Sequence, residues 1–183
     1  MIDDRAFASL NGRHILVAGG DHHNTLASVR SFGRAYIDFD LMLHPGVVDD
    51  DSLPVAASRY CPSDCMLVGN DRNSVTGGYS RWLTNKDPRR CLILSSSDLA
   101  AFVADVDFAD KGVLTYFFDG QPGCASVLMD KFEQYRWTKS HDIPMATTAE
   151  VADSRDEAKG LGFPRIVKSL VSAFGEKTDI AIV

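Results

Sequence analysis

The stretch ILVAGGDHHNTLASVRSFGR, residues 15–34, decides the fold. The branched apolar run HILVA, 14–18, reads as a buried strand. Gly19 and Gly20 break that run, and a polar cluster follows. From Asn24 onward Leu26, Val29, Phe32 and Gly33 recur at spacings of three and four, which predicts a helix with one apolar face. YIDFDLML, 36–43, alternates and then turns apolar, so it reads as a second strand. Strand, helix and strand within about thirty residues form the βαβ unit of a parallel sheet.

The turn between strand and helix is the first candidate site. AGGDHHN is not the GxGxxG dinucleotide fingerprint, and no GxxxxGK[ST] phosphate loop is present. A tight turn at the carboxyl end of a parallel strand still opens a crevice at the sheet edge. The helix beyond it offers N–H groups to an anion. Gly19, Gly20, Asp21 and Asn24 are therefore candidate ligand-facing residues. The plainer alternative is a strand-to-helix turn with Asn24 as its N-cap. His22 and His23 are adjacent, so on an extended loop their side chains point apart, which disfavours a shared metal. Ligand contact and a solvated loop both remain open for them.

The alternation continues downstream. Residues 44–90 are less regular: HPGVVDDDSLP reads as loop, and GGYSRWLTNKDPRR holds a short helix that stops before Pro88. CLILS, 91–95, is a buried strand. SSSDLAAFVADV then starts a helix, with Ser97 as N-cap and Asp98 in the first turn. GVLTYFF, 112–118, is the next strand. This order predicts a doubly wound, Rossmann-like α/β domain with a parallel sheet over residues 1–125. Asp98 directly follows a strand, where such folds place ligands, so it joins the candidate site. Asp105, Asp107 and Asp110 are expected on a solvated helix face.

A second unit begins at residue 126. A helix covers 126–144 and presents Leu128, Phe132, Tyr135 and Lys139 along one face. DSRDEAKGLGFP, 153–164, reads as a charged helix closed by glycines. RIVKSLV, 165–171, and KTDIAIV, 177–183, read as strands. A chain that stops on an apolar strand is expected to be a piece of a longer protein.

Lys131 and Lys168 are the sharper pair. A lysine at the start of a helix gains nothing from the helix dipole. A lysine inside an apolar strand is costly to bury without an anion. The alternative for Lys168 is an edge strand with its ammonium in water.

The totals narrow the function classes. The 183 residues are 45% hydrophobic and 24% charged, ordinary for a globular protein, and the net charge is −6. That balance argues against a general nucleic-acid surface. No membrane span and no signal peptide is expected, which leads to a cytoplasmic expectation. Cys61 and Cys65 are three residues apart, not the two of a zinc knuckle. With Cys91 and Cys124 they are expected to be reduced structural thiols.

Four phrases carry a resemblance: NTLASVRSFGRAYID, SSSD, MDKFEQYRWTKSHDIPMATT and LGFPRIVKSLVSAFGEKT. In that order and spacing the chain resembles the ATP-grasp superfamily, and within it proteins similar to the carbamoyl-phosphate synthase large subunit. The resemblance implies a pre-ATP-grasp domain followed by the start of an ATP-grasp α+β subdomain over 126–183. It implies that Lys131 and Lys168 face ATP, with Lys168 near the α-phosphate and adenine. The turn at Gly19, Gly20, Asp21 and Asn24, with Asp98, would then face the substrate cavity. The implied reaction activates a carboxylate with ATP and Mg2+ through an acylphosphate, which an amine attacks. The implied partners are ATP and small carboxylate and amine substrates, and a homodimer is compatible.

Magnesium ligands are expected downstream of this chain, so residues 1–183 alone are expected to be inactive, and no catalytic residue is assigned. Ser169 stands where the family has proline, and Gly175, after Phe174, is the one glycine where many members have a glycine-rich lid. Two rivals remain: a Rossmann-like module that senses a small ligand without chemistry, and a NAD-type oxidoreductase using Asp38 or Asp40.

Overall fold

The computed structural model describes residues 10, 12–45, 53–116, 124–148, 166–168, 170–171 and 181–182. Its centre is a five-stranded, all-parallel sheet flanked by helices, a Rossmann-like α/β fold. In chain order the strands are β1 (His14–Gly19), β2 (Asp40–Leu43), β3 (Met66–Leu67), β4 (Cys91–Ser95) and β5 (Leu114–Tyr116). The helices are α1 (His23–Arg34), α2 (Arg72–Leu83), α3 (Asp98–Phe108), α4 (Cys124–Met129) and α5 (Lys131–Ser140). A small antiparallel pair joins β6 (Ile166–Val167) and β7 (Ala181–Ile182). None of the described helices is long and apolar enough to cross a membrane.

Sheet order is β3-β2-β1-β4-β5, so the chain reverses direction between β1 and β4. The two-residue period of a strand explains the layers. Leu16 and Ala18 of β1 point with Met42 and Ile93 into one core, lined by Val75, Tyr79 and Trp82 of α2 and by Leu99, Val103 and Phe108 of α3. Val17, Leu41 and Leu43 point the other way, against Val29, Leu26 and Phe32 of α1 and against Val55. A strand buried on both faces reads as a continuous apolar run, which is what 15–18 shows.

Several sequence expectations change here. The second strand starts at Asp40, not residue 36. Tyr36 has φ +53° and is 95% exposed, because α1 closes with a left-handed residue there rather than feeding a strand directly. Residues 44–90 hold the short β3 and a full helix, α2. Asp71 caps that helix by accepting from the Ser74 N–H at 3.0 Å. Asp105 is buried, and its carboxylate accepts from the Ser126 N–H at 3.2 Å. Asp107 binds Arg72 at 2.7 Å and the Thr76 hydroxyl at 2.8 Å, tying α2 to α3. Only part of the acidic row is therefore a solvated face.

The helix expected over 126–144 breaks at Asp130. Asp130 accepts from the N–H groups of Phe132 and Glu133, at 2.8 and 3.0 Å, and so starts α5 afresh. Met129 packs α4 on Ala101 of α3. The strand expected over 165–171 is limited to Ile166–Val167. Lys168 lies past it and is exposed, beside Ile166 and Val167, which are themselves exposed. The argument from a buried ammonium therefore loses its premise, and Lys168 faces solvent in this structure. The helix expected over 153–164 lies outside the described residues, as do Ser169, Phe174 and Gly175.

Candidate functional site

The reversal between β1 and β4 leaves a crevice at the carboxyl edge of the sheet, the place where open α/β folds bind ligands. A cavity of about 360 Å³ lies there. Asn24 and Ser28 of α1 form one wall; Ser95, Ser96, Ser97 and Asp98 form the other, over Leu94. Of the residues singled out from sequence, Asn24 and Asp98 line it directly. Lys131 and Lys168 do not.

Gly19 and Gly20 are buried at the end of β1 and are not among the residues that line the cavity. The Thr25 hydroxyl donates to the Gly20 carbonyl at 2.6 Å and lies 2.8 Å from the Ser96 hydroxyl. The Ser96 N–H and hydroxyl both reach the Ala18 carbonyl, at 2.8 and 3.1 Å. This latch fastens α1, β1 and β4 together under the cavity. Asp21 turns away from it: its carboxylate accepts from the Val55 N–H at 2.8 Å and holds the loop after β2. The helix begins at His23, with His22 and not Asn24 at the N-cap position, and the His22 side chain makes no capping bond. Asn24 is thereby left free of a capping duty and stands on the cavity wall.

A second set of residues escaped the sequence reading. His44 follows β2, Asn70 follows β3 and Ser97 follows β4. His44 is 4% exposed. Its Nδ1 lies 2.9 Å from Asn70 Oδ1, and its Nε2 lies 2.7 Å from Ser97 Oγ. An amide oxygen only accepts, so Nδ1 carries the proton and donates to Asn70. Nε2 is then the acceptor for the Ser97 hydroxyl. Ser97 also accepts from the Ala100 N–H at 3.2 Å, which makes it the cap of α3, as its sequence position predicted. The His44 ring passes over the end of β1, where a Cβ on Gly20 would stand 3.9 Å from His44 Cε1. His22 lies against the same turn, with its Nδ1 buried and unpaired. Its ring is 5.9 Å from that of His23, tilted rather than converging. Among the described residues, no group of three or more His, Cys, Asp or Glu side chains is placed to hold a metal ion. Cys61, Cys65 and Cys91 are free thiols, and burial pushes Cys65 up to about 12, which keeps it unreactive.

Burial holds the His44 imidazole below its ordinary value of 6.5, although the bond to Asn70 opposes this. Unfolding returns the ring to water. As pH falls through 6.5, the unfolded chain takes up a proton that the folded chain refuses. This contribution to stability is complete above the unfolded value and declines as pH falls below it, toward the lowered folded value. Each unit of displacement is worth about 1.4 kcal/mol. Thermal melts are expected to show a lower Tm near pH 5.5 than near pH 7.5, by roughly 2–4 °C for each kcal/mol lost. His44→Gln, which does not titrate, is expected to flatten that difference. An equally steep loss in the variant would place its origin elsewhere. His22 shifts the same way, through burial and then the neighbouring His23, but its greater exposure makes it the weaker contributor.

The two lysines meet a different part of the chain. Asp130 forms an antiparallel bridge with Val171, and the Lys131 N–H donates to the Leu170 carbonyl at 3.0 Å. The start of α5 is thus stitched to the segment that follows β6 and carries Lys168. No protein-family model significantly matches the chain, and neither does any curated protein or solved structure.

Proposed function

We propose that this chain is the N-terminal part of an ATP-grasp ligase, in which a carboxylate activated by ATP is attacked by an amine. The observation that carries the reading is the stitch between Asp130–Lys131 and Leu170–Val171. It draws together two segments far apart in sequence, each bearing one of the lysines that the resemblance assigns to ATP. Lysine ammonium groups suit phosphate oxygens as point charges. With both at one ATP, they offset the negative charge that builds during phosphoryl transfer. The exposure of Lys168 leaves its ammonium available to a phosphate.

In this reading a substrate carboxylate oxygen attacks the γ-phosphorus and ADP leaves. The amine then adds to the acyl carbon of the acylphosphate, and phosphate departs. Magnesium would polarise the phosphates; the described residues offer no cluster for it. The cavity at the switch point takes the small substrate, with Asn24 offering hydrogen bonds. Among the described residues the only charged one lining it is Asp98, so it favours an ammonium group over a second carboxylate.

The test is ADP release by the complete protein that carries this chain, with magnesium, ATP, pooled amino acids and small carboxylates. Lys168→Ala is expected to lower substrate-dependent release by about a hundredfold or more. Release unchanged by that substitution removes the assignment of Lys168. A second reading, a ligand-sensing module, is favoured by the cavity lying wholly within the Rossmann-like sheet and its helices. Absence of ATP binding by calorimetry, with ligand-induced stabilisation intact, would select it.

A further inference from the structure

The bonds joining Asn70, His44 and Ser97 form a relay that neither the ligase reading nor the sensing reading uses. Three loops at the carboxyl ends of three strands supply one residue each, and the relay ends on a wall of the cavity. We propose that Ser97 is a nucleophile for acyl transfer, with His44 as its general base and Asn70 as the residue that positions the imidazole. The proposal is independent of ATP chemistry.

The directions of the bonds support it. Asn70 fixes the tautomer, so the Nε2 lone pair faces the Ser97 hydroxyl at 2.7 Å, within proton-transfer reach. The base is buried while the serine stands at the cavity, the arrangement an activated serine needs. Ser97 opens α3, whose first N–H groups have no carbonyl one turn earlier to bond. The Ala100 N–H is taken by Ser97 Oγ, so the N–H groups of Asp98 and Leu99 are the ones assigned to the carbonyl oxygen of a bound acyl group. A relay that served only to tie strand ends together would not need to end on the wall of a ligand-sized cavity.

The substrate class follows from the cavity. Its volume is at the small end of the range for ligand pockets, roughly 300–1,000 Å³. Asp98 stands next to the serine and, among the described residues, no cation lines the wall, which disfavours anionic acyl groups. Small neutral or ammonium-bearing esters and thioesters fit. Ser97 Oγ adds to the acyl carbon as its proton passes to His44 Nε2. The bond to the alcohol or thiol breaks, and the leaving group takes that proton. Water, deprotonated by His44, then attacks the Ser97 ester, and the proton returns to the serine oxygen. One ester or thioester and one water become one acid and one alcohol or thiol.

The experiment treats the protein with an alkyl fluorophosphonate and locates the adduct by peptide mass spectrometry. Hydrolysis of a neutral acetyl thioester is followed in parallel. One phosphonyl group per chain is expected, on Ser97, and Ser97→Asn should abolish it while keeping an acceptor at the cap of α3. His44→Gln should slow labelling and hydrolysis by about a hundredfold or more. Asn70→Leu should slow both, and Asn70→Asp should restore them, since it retains an acceptor for Nδ1–H. Circular dichroism confirms that each variant is folded. A variant that fails to fold leaves the decision to the labelling of the unaltered protein and to Asn70→Asp. Absence of label on Ser97, or label undiminished in folded His44→Gln, overturns the proposal.

Discussion

Phe108→Ala is expected to lower the unfolding free energy by about 3–5 kcal/mol. Phe108 is 1% exposed and meets the Tyr79 ring edge to face, with centroids 5.3 Å apart at 77°. The Tyr79 hydroxyl in turn donates to the Ala100 carbonyl at 2.9 Å, near the start of α3. The two rings therefore hold α2 against α3 at one end while that hydrogen bond holds the other. Truncating Phe108 leaves a cavity bounded by a ring that is itself tethered, so the site has little freedom to collapse. A loss of this size is a large share of the roughly 5–15 kcal/mol that keeps a domain folded. It also reaches the site, because α3 begins at Ser97 and Asp98. Val106→Ala, on the same helix but exposed, is the control and should change stability far less. Denaturant unfolding of the two variants measures both, and equal losses would refute the packing argument.

The fold was legible where apolar runs and helical spacing agree. CLILS became β4 at its stated bounds, and Leu26, Val29 and Phe32 pack α1 on the sheet as their spacing required. The alternation in YIDF misled, because it belongs to the exit from α1 and not to a strand. α2 was only partly seen, although its buried residues Val75, Gly78, Tyr79 and Trp82 follow the 3–4 rule. The adjacent glycines obscured it. Gly78 is there because a Cβ would run into Met42 Sδ and Val68 Cγ1, so the helix needs a small residue for close approach to β2.

The site was legible in half. A turn after β1 and an acid after β4 announce a switch-point crevice from sequence order alone. His44 and Asn70 did not announce themselves. Their bonds span 53 and 26 residues and exist only because parallel strands bring three loops to one edge. A histidine directly after a predicted strand is the one signal that could have marked His44. Lys168 shows the opposite failure: its neighbours are apolar but exposed, so hydropathy overstated its burial.

Gly19→Ala is expected to damage the fold and the site together, at a cost of about 1–3 kcal/mol or somewhat more. A Cβ on Gly19 would overlap Ser96 Oγ and stand 2.6 Å from Thr25 Oγ1. Neither oxygen is the free end of a flexible side chain. Thr25 donates to the Gly20 carbonyl, the Ser96 N–H donates to the Ala18 carbonyl, and the single Ser96 hydroxyl proton serves either the Thr25 oxygen or that same Ala18 carbonyl. Accommodating one methyl group therefore breaks buried hydrogen bonds, which costs more than the methyl itself. It also separates α1 from β4, so Asn24 and Ser28 move relative to Ser97 and Asp98 across the cavity. Ser96→Gly in the same chain removes the overlapping atom. The double variant should then recover part of the stability, in a cycle whose coupling exceeds the spread expected for independent sites. Additive losses in thermal and denaturant unfolding would mean that the glycine is required for a reason other than the space the latch occupies.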